Sequence, residues 1–583
     1  MSKKRLSIVS GFFLLLFLGV CGRLYFVQIL QYQKFFNLKE KQYIQTVEIK
    51  PKRGTIYDCQ GREMAFTIDV DSLCAFPHQV ENKADAAVKI AKVLQVSPGV
   101  IREKLDTDKY FVWLARKIDP EQTRSLKEMK IKGIDFLKEG KRFYPDGQLA
   151  NQLLGYVGVD NDGLTGIEKY FDDYIKGESS YMIQGKDAKG RSVLNDTQSC
   201  YLSKNSNDVV LSIDKTIQYI AEKELDVANR QYHGRSALII VQKTKTGEIL
   251  AIAGRPTFDR EKIDGSSINE MRLKAISDFY EPGSTFKIIT AAAALSEKVV
   301  TPTDRYFCEN GSYKVGPTTI RDHEKEGWLT FAQVIERSSN IGVAKVADKI
   351  GRDKLFYYAR LFGFGSLTGI ELPGETAGLL RQPKDWSSVS LGRISFGQEI
   401  GVTPLQMINA VNAVANGGVL MQPMVVKAIK NKDGKIIKNY NPQCVRQVIA
   451  PDTARELTDI LKGVVERGTG VMAQVKGYDI AGKTGTAQKI DPATKTYSPT
   501  KYVASFVGYL PADNPEVTIL VIIDEPQGVY WGGSVCAPLF AQVAKDIMRY
   551  LNVPAKTQQF ASNKILREEN LYAAKGNRSG NIR

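Results

Sequence analysis

Residues 281–297 read EPGSTFKIITAAAALSE, and this stretch decides how the rest is understood. Pro282 suits the first turn of a helix, and the residues after it are helix formers. The spacing predicts a helix running from Pro282 through FKIITAAAALSE. On that helix Ser284 and Lys287 stand at i and i+3 and share a face. A serine hydroxyl is a weak nucleophile and needs a base beside it. A lysine one turn away can be that base if burial and nearby positive charge hold it neutral. The helix N-terminus adds positive potential where an oxyanion would develop.

Ser-x-x-Lys alone is weak evidence, and the chain contains it three times. Ser212-Ile-Asp-Lys215 straddles a strand-to-helix junction. Ser498-Pro-Thr-Lys501 has a proline inside and cannot be a regular helix interior. Moving outward from Ser284, the next element is Ser338-Ser-Asn340, between helical runs at 331–337 and 341–350. Ser203-Lys-Asn205 and Ser267-Ile-Asn269 are decoys for it, since a lone Ser-x-Asn is most often a cap or turn. The third element is Lys483-Thr484-Gly485-Thr486, opening a late strand. Its decoy, Lys245-Thr-Gly247, places the glycine in a hairpin turn with no hydroxyl residue after it.

The surrounding pattern gives the architecture. SALIIVQ (236–242) and EILAIAG (248–254) are apolar β runs joined by a turn at 243–247, a hairpin. Three more strands fit 483–489, 503–510 and 517–524. Helices fit 215–229, 329–350, 353–362, 403–417 and 539–551. Two early and three late strands predict one five-stranded antiparallel sheet closed by both ends of an α+β domain. Before it, 84–95 and 120–130 read as amphipathic helices in a further α+β region, and 31–50 reads as a polar stalk with helical spacing.

At the N-terminus, Lys3-Lys4-Arg5 precedes LSIVSGFFLLLFLGVCG (6–22), which carries no charge, and Arg23 and LYFVQIL complete the stretch. About 20 apolar residues cross a bilayer, and an arginine near the end can snorkel. The basic cluster keeps the N-terminus in the cytoplasm. No A-x-A-like site follows, so the segment reads as an uncleaved anchor rather than a signal peptide. The chain has 80 Lys and Arg against 64 Asp and Glu, a net +16. That suits an anionic partner, and an outside location favours lipid or wall polymer over nucleic acid. Three histidines, at 78, 233 and 323, supply a zinc site or a Ser-His-Asp triad poorly. The seven cysteines form no CxxC, and free thiols are expected for most of them. Ordinary hydrophobic and charged content excludes a disordered chain, and a single long apolar stretch excludes a multi-span transporter. From 556 the tail has six Lys or Arg against two Glu and is expected to be disordered.

Ser-x-x-Lys, Ser-x-Asn and Lys-Thr-Gly in this order resemble the three motifs of the penicillin-binding protein and serine β-lactamase superfamily. With one anchor and a long N-terminal region, the chain looks like a class B penicillin-binding protein of the division and sporulation branch. Arg53-Gly-Thr-Ile-Tyr-Asp58, Arg142-Phe-Tyr-Pro145, Gly163–Tyr170, Ile320-Arg-Asp322, 395–423 and Gly532–Pro538 carry that resemblance. Cys59-Gln60 departs from the basic or Asn pair usual after Asp58. The lack of a repeated accessory domain after 555 tilts the reading toward division.

The resemblance implies a cytoplasmic tail at 1–5, a transmembrane anchor at 6–30, a pedestal at 31–205, a transpeptidase domain at 206–555 and a basic tail at 556–583. It implies a plasma-membrane, single-pass D,D-transpeptidase acting through a serine acyl-enzyme during septal wall synthesis, with no cofactor and no metal. Ser284, Lys287, Ser338, Asn340 and Lys483 would be catalytic. Asn340 would also orient Lys287, and Thr484, Gly485 and Thr486 would bind substrate. The partners implied are D-Ala-D-Ala stem peptides with an amine acceptor, β-lactams, a SEDS-family glycan polymerase and divisome membrane proteins. Spore-cortex or elongation synthesis, a D,D-carboxypeptidase, a β-lactamase and an inactive β-lactam-binding scaffold are the rival readings. An intact motif set argues against the scaffold. A β-lactamase would need a water-activating base, and Glu371, Glu375 and Glu399 lack the sequence context for one.

Overall fold

A computed structural model describes residues 3–35, 44–49, 52–177, 180–186, 192–193, 206–263, 268–316, 318–491 and 493–556. The tail from 557, Cys200, Ser203-Lys-Asn205 and Ser267 lie outside the described residues. The chain divides into two compact units, Met1–Arg53 with Lys176–Ser206 and Gly54–Ile175 with Asn207–Arg583.

The first unit opens with a helical segment from Lys3 to Leu30. Its stretch Arg5–Leu30 is long and apolar enough to cross a membrane, and none of it is buried against protein. The helical spacing read over 31–50 fails at its end, where Ile44–Ile49 is a strand. It pairs antiparallel with Ser180–Lys186, which pairs in turn with Ser192–Val193. A partner so distant in sequence overrides the local period.

The second unit holds the predicted five-stranded sheet. Its strands are β1 (Ser236–Lys243), β2 (Ile249–Arg255), β3 (Ala481–Ile490), β4 (Tyr497–Leu510) and β5 (Val517–Asp524). They run antiparallel in the order β2-β1-β5-β4-β3. The centre is β5, whose sequence VTILVIID is apolar without alternation because both faces are covered. Ile519 and Val521 join a core with α1 (Lys215–Tyr232) and α5 (Gly532–Tyr550). Leu520 and Ile522 join another with α2 (Lys287–Ser296) and α4 (Pro404–Ala415). Helix α2 is buried all round, as its sequence KIITAAAALS requires. The last helix starts at Gly532 rather than 539, because Pro538 lies inside it instead of ahead of it. The helical run read over 329–350 divides into Phe331–Glu336 and α3 (Asn340–Ile350), broken at Ser338.

Strands from both sides of residue 206 share a second, seven-stranded sheet. Ile56–Tyr57 pairs parallel with Asp208–Leu211, placing Ile56 opposite Val209. Ile56, Met64, Leu153 and Phe171 lie in one continuous core with Ile213, Ile240 and Ile288. A separate core of Leu73, Ile90, Ile101, Leu105, Leu114 and Leu126 fills the outer part of the region, built from strand Glu63–Ala75 and helices Lys83–Leu94, Pro98–Leu105 and Pro120–Glu128. The six described cysteines are free thiols, and burial pushes Cys59 up to about 12 and Cys74 up to about 11.

Three N-terminal stretches singled out in the sequence meet at one ion pair. Arg142 Nε donates to Glu168 Oε1 at 2.7 Å and Nη1 donates to the Gly54 carbonyl at 2.5 Å. Both charged side chains are buried, 2% and 0% exposed. Removing one partner of a buried pair strands the other charge, at a cost of about 3–5 kcal/mol. Arg142→Met and Glu168→Leu are each expected to lower the unfolding free energy of the detergent-solubilised protein by that order. The double variant is expected to recover most of it. Denaturant titration followed by tryptophan fluorescence checks this, and additive losses in the double variant would refute it.

Candidate active site

The residue before α2 is reached through a single tight turn, Gly283–Phe286, which carries Ser284. Lys287 is the first residue of α2 and is fully buried, whereas Ser284 is partly exposed. Among the described residues no hydrogen bond engages Ser284 Oγ, so its hydroxyl is available to an incoming group. The two rival serines are spent elsewhere. Ser212 Oγ donates between the Ile249 and Met424 carbonyls at 2.7 and 3.0 Å, and Ser498 is buried within β4.

Ser338 sits in the break before α3 with φ +62, a left-handed conformation that non-glycine residues rarely adopt. The strained turn aims its hydroxyl at two lysines. Lys287 Nζ lies 3.2 Å from Ser338 Oγ and donates to the Ser338 carbonyl at 2.5 Å. Lys483 Nζ lies 2.9 Å from the same Oγ. Lys483 is fully buried as well. Burial pushes the Lys287 amine down to about 7, against the opposing pull of Asp322. Burial, with the Lys287 charge added, pushes Lys483 well below its ordinary value. Ser338 can donate its one proton to either amine while accepting from the other, so the three heads form a short proton wire.

The turn is held by Asp322, which the motif reading quoted without giving it a role. Its Oδ1 accepts from the Asn340 and Ile341 amides at 2.5 and 3.0 Å, and its Oδ2 accepts from Ser339 Oγ at 2.5 Å. Those amides open α3, so the carboxylate also meets the positive end of that helix. The Asn340 side-chain amide donates to the Arg321 carbonyl at 2.9 Å. Asn340 makes no hydrogen bond to Lys287 among the described residues. Lys287 is oriented by Ser338, and the expectation that Asn340 does so is corrected here.

Strand β3 carries the third motif and is the open edge of its sheet. Gly485 is there because the strand must approach the Ser284 turn closely. A Cβ at that position would come within 2.3 Å of Ser505 Oγ and 3.2 Å of the Pro282 carbonyl. Thr484 Oγ1 lies 2.8 Å from Thr469 Oγ1 and 3.4 Å from Lys483 Nζ. Thr486 Oγ1 accepts from the Gly532 amide at 3.0 Å, which ties β3 to the start of α5. Past Thr486 the strand enters the wall of a cavity of about 1100 Å³, lined among others by Glu281, Ala487, Lys489 and Tyr497.

Motif reasoning also passed over Glu281. Its Oε1 accepts from the Glu399 amide at 2.8 Å and the Tyr497 hydroxyl at 3.3 Å, bracing the turn before Ser284. The three glutamates considered as water-activating bases are engaged elsewhere. Glu371 accepts from the Val425 amide, Glu375 from Thr368, and Glu399 from Arg381, Arg393 and Ser390.

Comparison with known proteins gives two family matches, a penicillin binding protein transpeptidase domain over residues 237–548 and a penicillin-binding protein dimerisation domain over 48–211. Stage V sporulation protein D of Bacillus subtilis is 34% identical over 567 residues, spanning 96% of this chain and 87% of that one. Peptidoglycan D,D-transpeptidase FtsI of Escherichia coli is 29% identical over 558 residues, spanning 94% and 92%. Penicillin binding protein 3 from Mycobacterium tuberculosis, complexed with aztreonam, superposes with a TM-score of 0.69 at 28% identity, over 87% of this chain and 98% of that one.

With Lys287 as the base for Ser284, acylation would need that amine unprotonated, and its acid limb would follow the titration of the two-lysine group, in which Lys287 lies at about 7. Asp322→Asn removes the charge that favours the protonated amine. The Lys287 pKa then falls, and the acid limb is expected to move to lower pH by about half to one unit. Loss of a charged acceptor for three donors should also slow acylation about 10–100-fold. Second-order acylation rates with penicillin across the neutral range check both, and an unmoved acid limb would separate Asp322 from Lys287.

Proposed function

The chain belongs to the penicillin-binding protein transpeptidase family, and on that premise we propose how its residues divide the work of a peptidoglycan D,D-transpeptidase. The convergence of Lys287 and Lys483 on Ser338, beside an accessible Ser284, carries the assignment.

The donor stem peptide pairs with the open edge of β3 by strand addition. Its terminal carboxylate lies by Thr484 and Thr486. An antiparallel peptide then runs its earlier residues past Ala487–Ile490 toward the 1100 Å³ cavity. The Asn340 side-chain oxygen accepts from the substrate backbone while its NH2 group stays on the Arg321 carbonyl. Ser284 Oγ attacks the carbonyl between the two D-alanines, and its proton passes to the Lys287 amine. The Ser284 and Thr486 backbone amides hold the oxyanion. Collapse breaks the C–N bond, and the proton held by Lys287 passes through Ser338, which Lys483 holds in place, to the leaving D-Ala nitrogen, so that Lys287 is neutral again. An acceptor amine then attacks the acyl-enzyme, gives up a proton to Lys287, and forms the cross-link while Ser284 regains its proton. A β-lactam presents the same carbonyl and keeps its leaving nitrogen attached through the ring.

We assign residues 6–30 as the anchor, 31–205 as the pedestal and 206–555 as the catalytic part. Lys3-Lys4-Arg5 before the apolar helix supports an N-terminus in the cytoplasm and a catalytic unit outside. Septal synthesis is the role proposed, with a glycan polymerase of the SEDS type and divisome membrane proteins as partners.

Labelled penicillin is expected to attach at Ser284 in peptide mass spectrometry and to remain for many minutes to hours. Glu371, Glu375 and Glu399 are engaged elsewhere, and rapid hydrolysis needs a general base placed to activate water. Attachment at Ser212 or Ser498, or steady penicillin turnover without accumulation, would overturn the assignment.

Lys287→Arg fixes a charge where the lysine can be neutral and so removes the base, since arginine does not deprotonate. Loss of acylation by several orders of magnitude is expected with the fold kept, and the melting temperature is expected to drop because a fixed charge is buried beside Lys483. Acylation near the wild-type rate would reduce Lys287 to an electrostatic role.

A further inference from the structure

Two single residues join the loops that pin the second and third motifs. His323 directly follows Asp322, whose carboxylate holds Ser339 and Asn340. Trp531 directly precedes Gly532, whose amide holds Thr486. The two rings stack with centroids 4.0 Å apart and planes 40° off parallel. Trp531 is itself backed by Tyr530 at 4.7 Å, and Tyr530 by Tyr502 at 4.1 Å and 11°. His323 is exposed and Trp531 half-buried, so the stack lies at the surface rather than in a core. The backbone of Gly532 packs closely on β3, where a Cβ would meet the Gly485 carbonyl at 2.2 Å.

We propose that the His323–Trp531 stack is a latch that sets the width of the substrate cleft and selects acylating substrates by bulk. Each ring is one residue from the group that pins a motif, so separating the rings widens the gap without dismantling either motif. The latch rests on the transpeptidase reading above, and a substrate too broad for the closed gap must first break one aromatic pair. Such a pair weighs about fivefold in a rate when it must be broken. His323 and Trp531 are positioning residues here, not catalytic ones.

The test compares second-order acylation of the full-length, detergent-solubilised protein by benzylpenicillin and by a bulky fluorophore-labelled penicillin. Wild-type acylation by benzylpenicillin tests the transpeptidase reading by itself. His323→Ala and Trp531→Ala are each expected to raise the bulky-to-small rate ratio about fivefold. The double variant should give no more than either single one, and His323→Phe, which keeps a ring, should hold the wild-type ratio. If Trp531→Ala fails to fold, Trp531→Leu takes its place. An unchanged ratio, equal loss with both reagents, a change with the tryptophan variant alone, or additive effects in the double variant would each overturn the latch while leaving the chemistry of Ser284 untouched.

Discussion

Two lysine amines buried from solvent share the hydroxyl of a half-buried serine, and the rest of the molecule is arranged to make that tolerable. Lys287 and Lys483 are both fully buried and both reach Ser338 Oγ. Two adjacent ammonium groups out of water would repel each other and lose their hydration. The site therefore favours neutral amines, which are what a base needs. Keeping it dry requires α2 to be covered on every side. Its run of alanines lets neighbouring helices come close enough to do so. The same demand explains the strained Ser338. A relaxed turn would not present one oxygen to both nitrogens, and Asp322 holds the unfavourable backbone in place with three hydrogen bonds.

The catalytic sheet was legible because its signals are local. The turn at 243–247 between two apolar runs, and the unbroken run of β5, state their own pairing. The three motifs were legible as residue types in order. What they do to one another was not. Nothing in Ser338-Ser-Asn340 says that the Asn340 side chain donates to Arg321, since that depends on the Arg321–Asp322 loop arriving from elsewhere. The strand at Ile44–Ile49 and the helical start at Gly532 were missed for related reasons. One depends on a partner far along the chain, and the other on packing that tolerates a proline inside a helix.

The N-terminal region also has more to do with the site than its lack of catalytic residues suggested. Ile56–Tyr57 lies beside Asp208–Leu211, and that strand leads directly into α1 on one face of the catalytic sheet. Arg142 links Gly54 to Glu168 beneath this seam. The Gly54, Arg142 and Glu168 stretches are thus structural ties. The charges of Arg142 and Glu168 are spent on each other.

The continuous core across residue 206 bears on how such a protein can be rearranged by recombination. Ile56, Leu153 and Phe171 are packed among residues of the catalytic part, whereas Leu73, Ile90 and Leu126 keep company only with one another. A crossover at the boundary between the two family matches would cut through shared packing and join surfaces shaped for different neighbours. A crossover around the outer lobe would carry a complete small core with it. Exchange of parts between relatives is therefore tolerated at the outer lobe and resisted at the inner seam. The outer lobe is free to diversify its surface, while the inner pedestal is bound to change in step with the enzyme it supports.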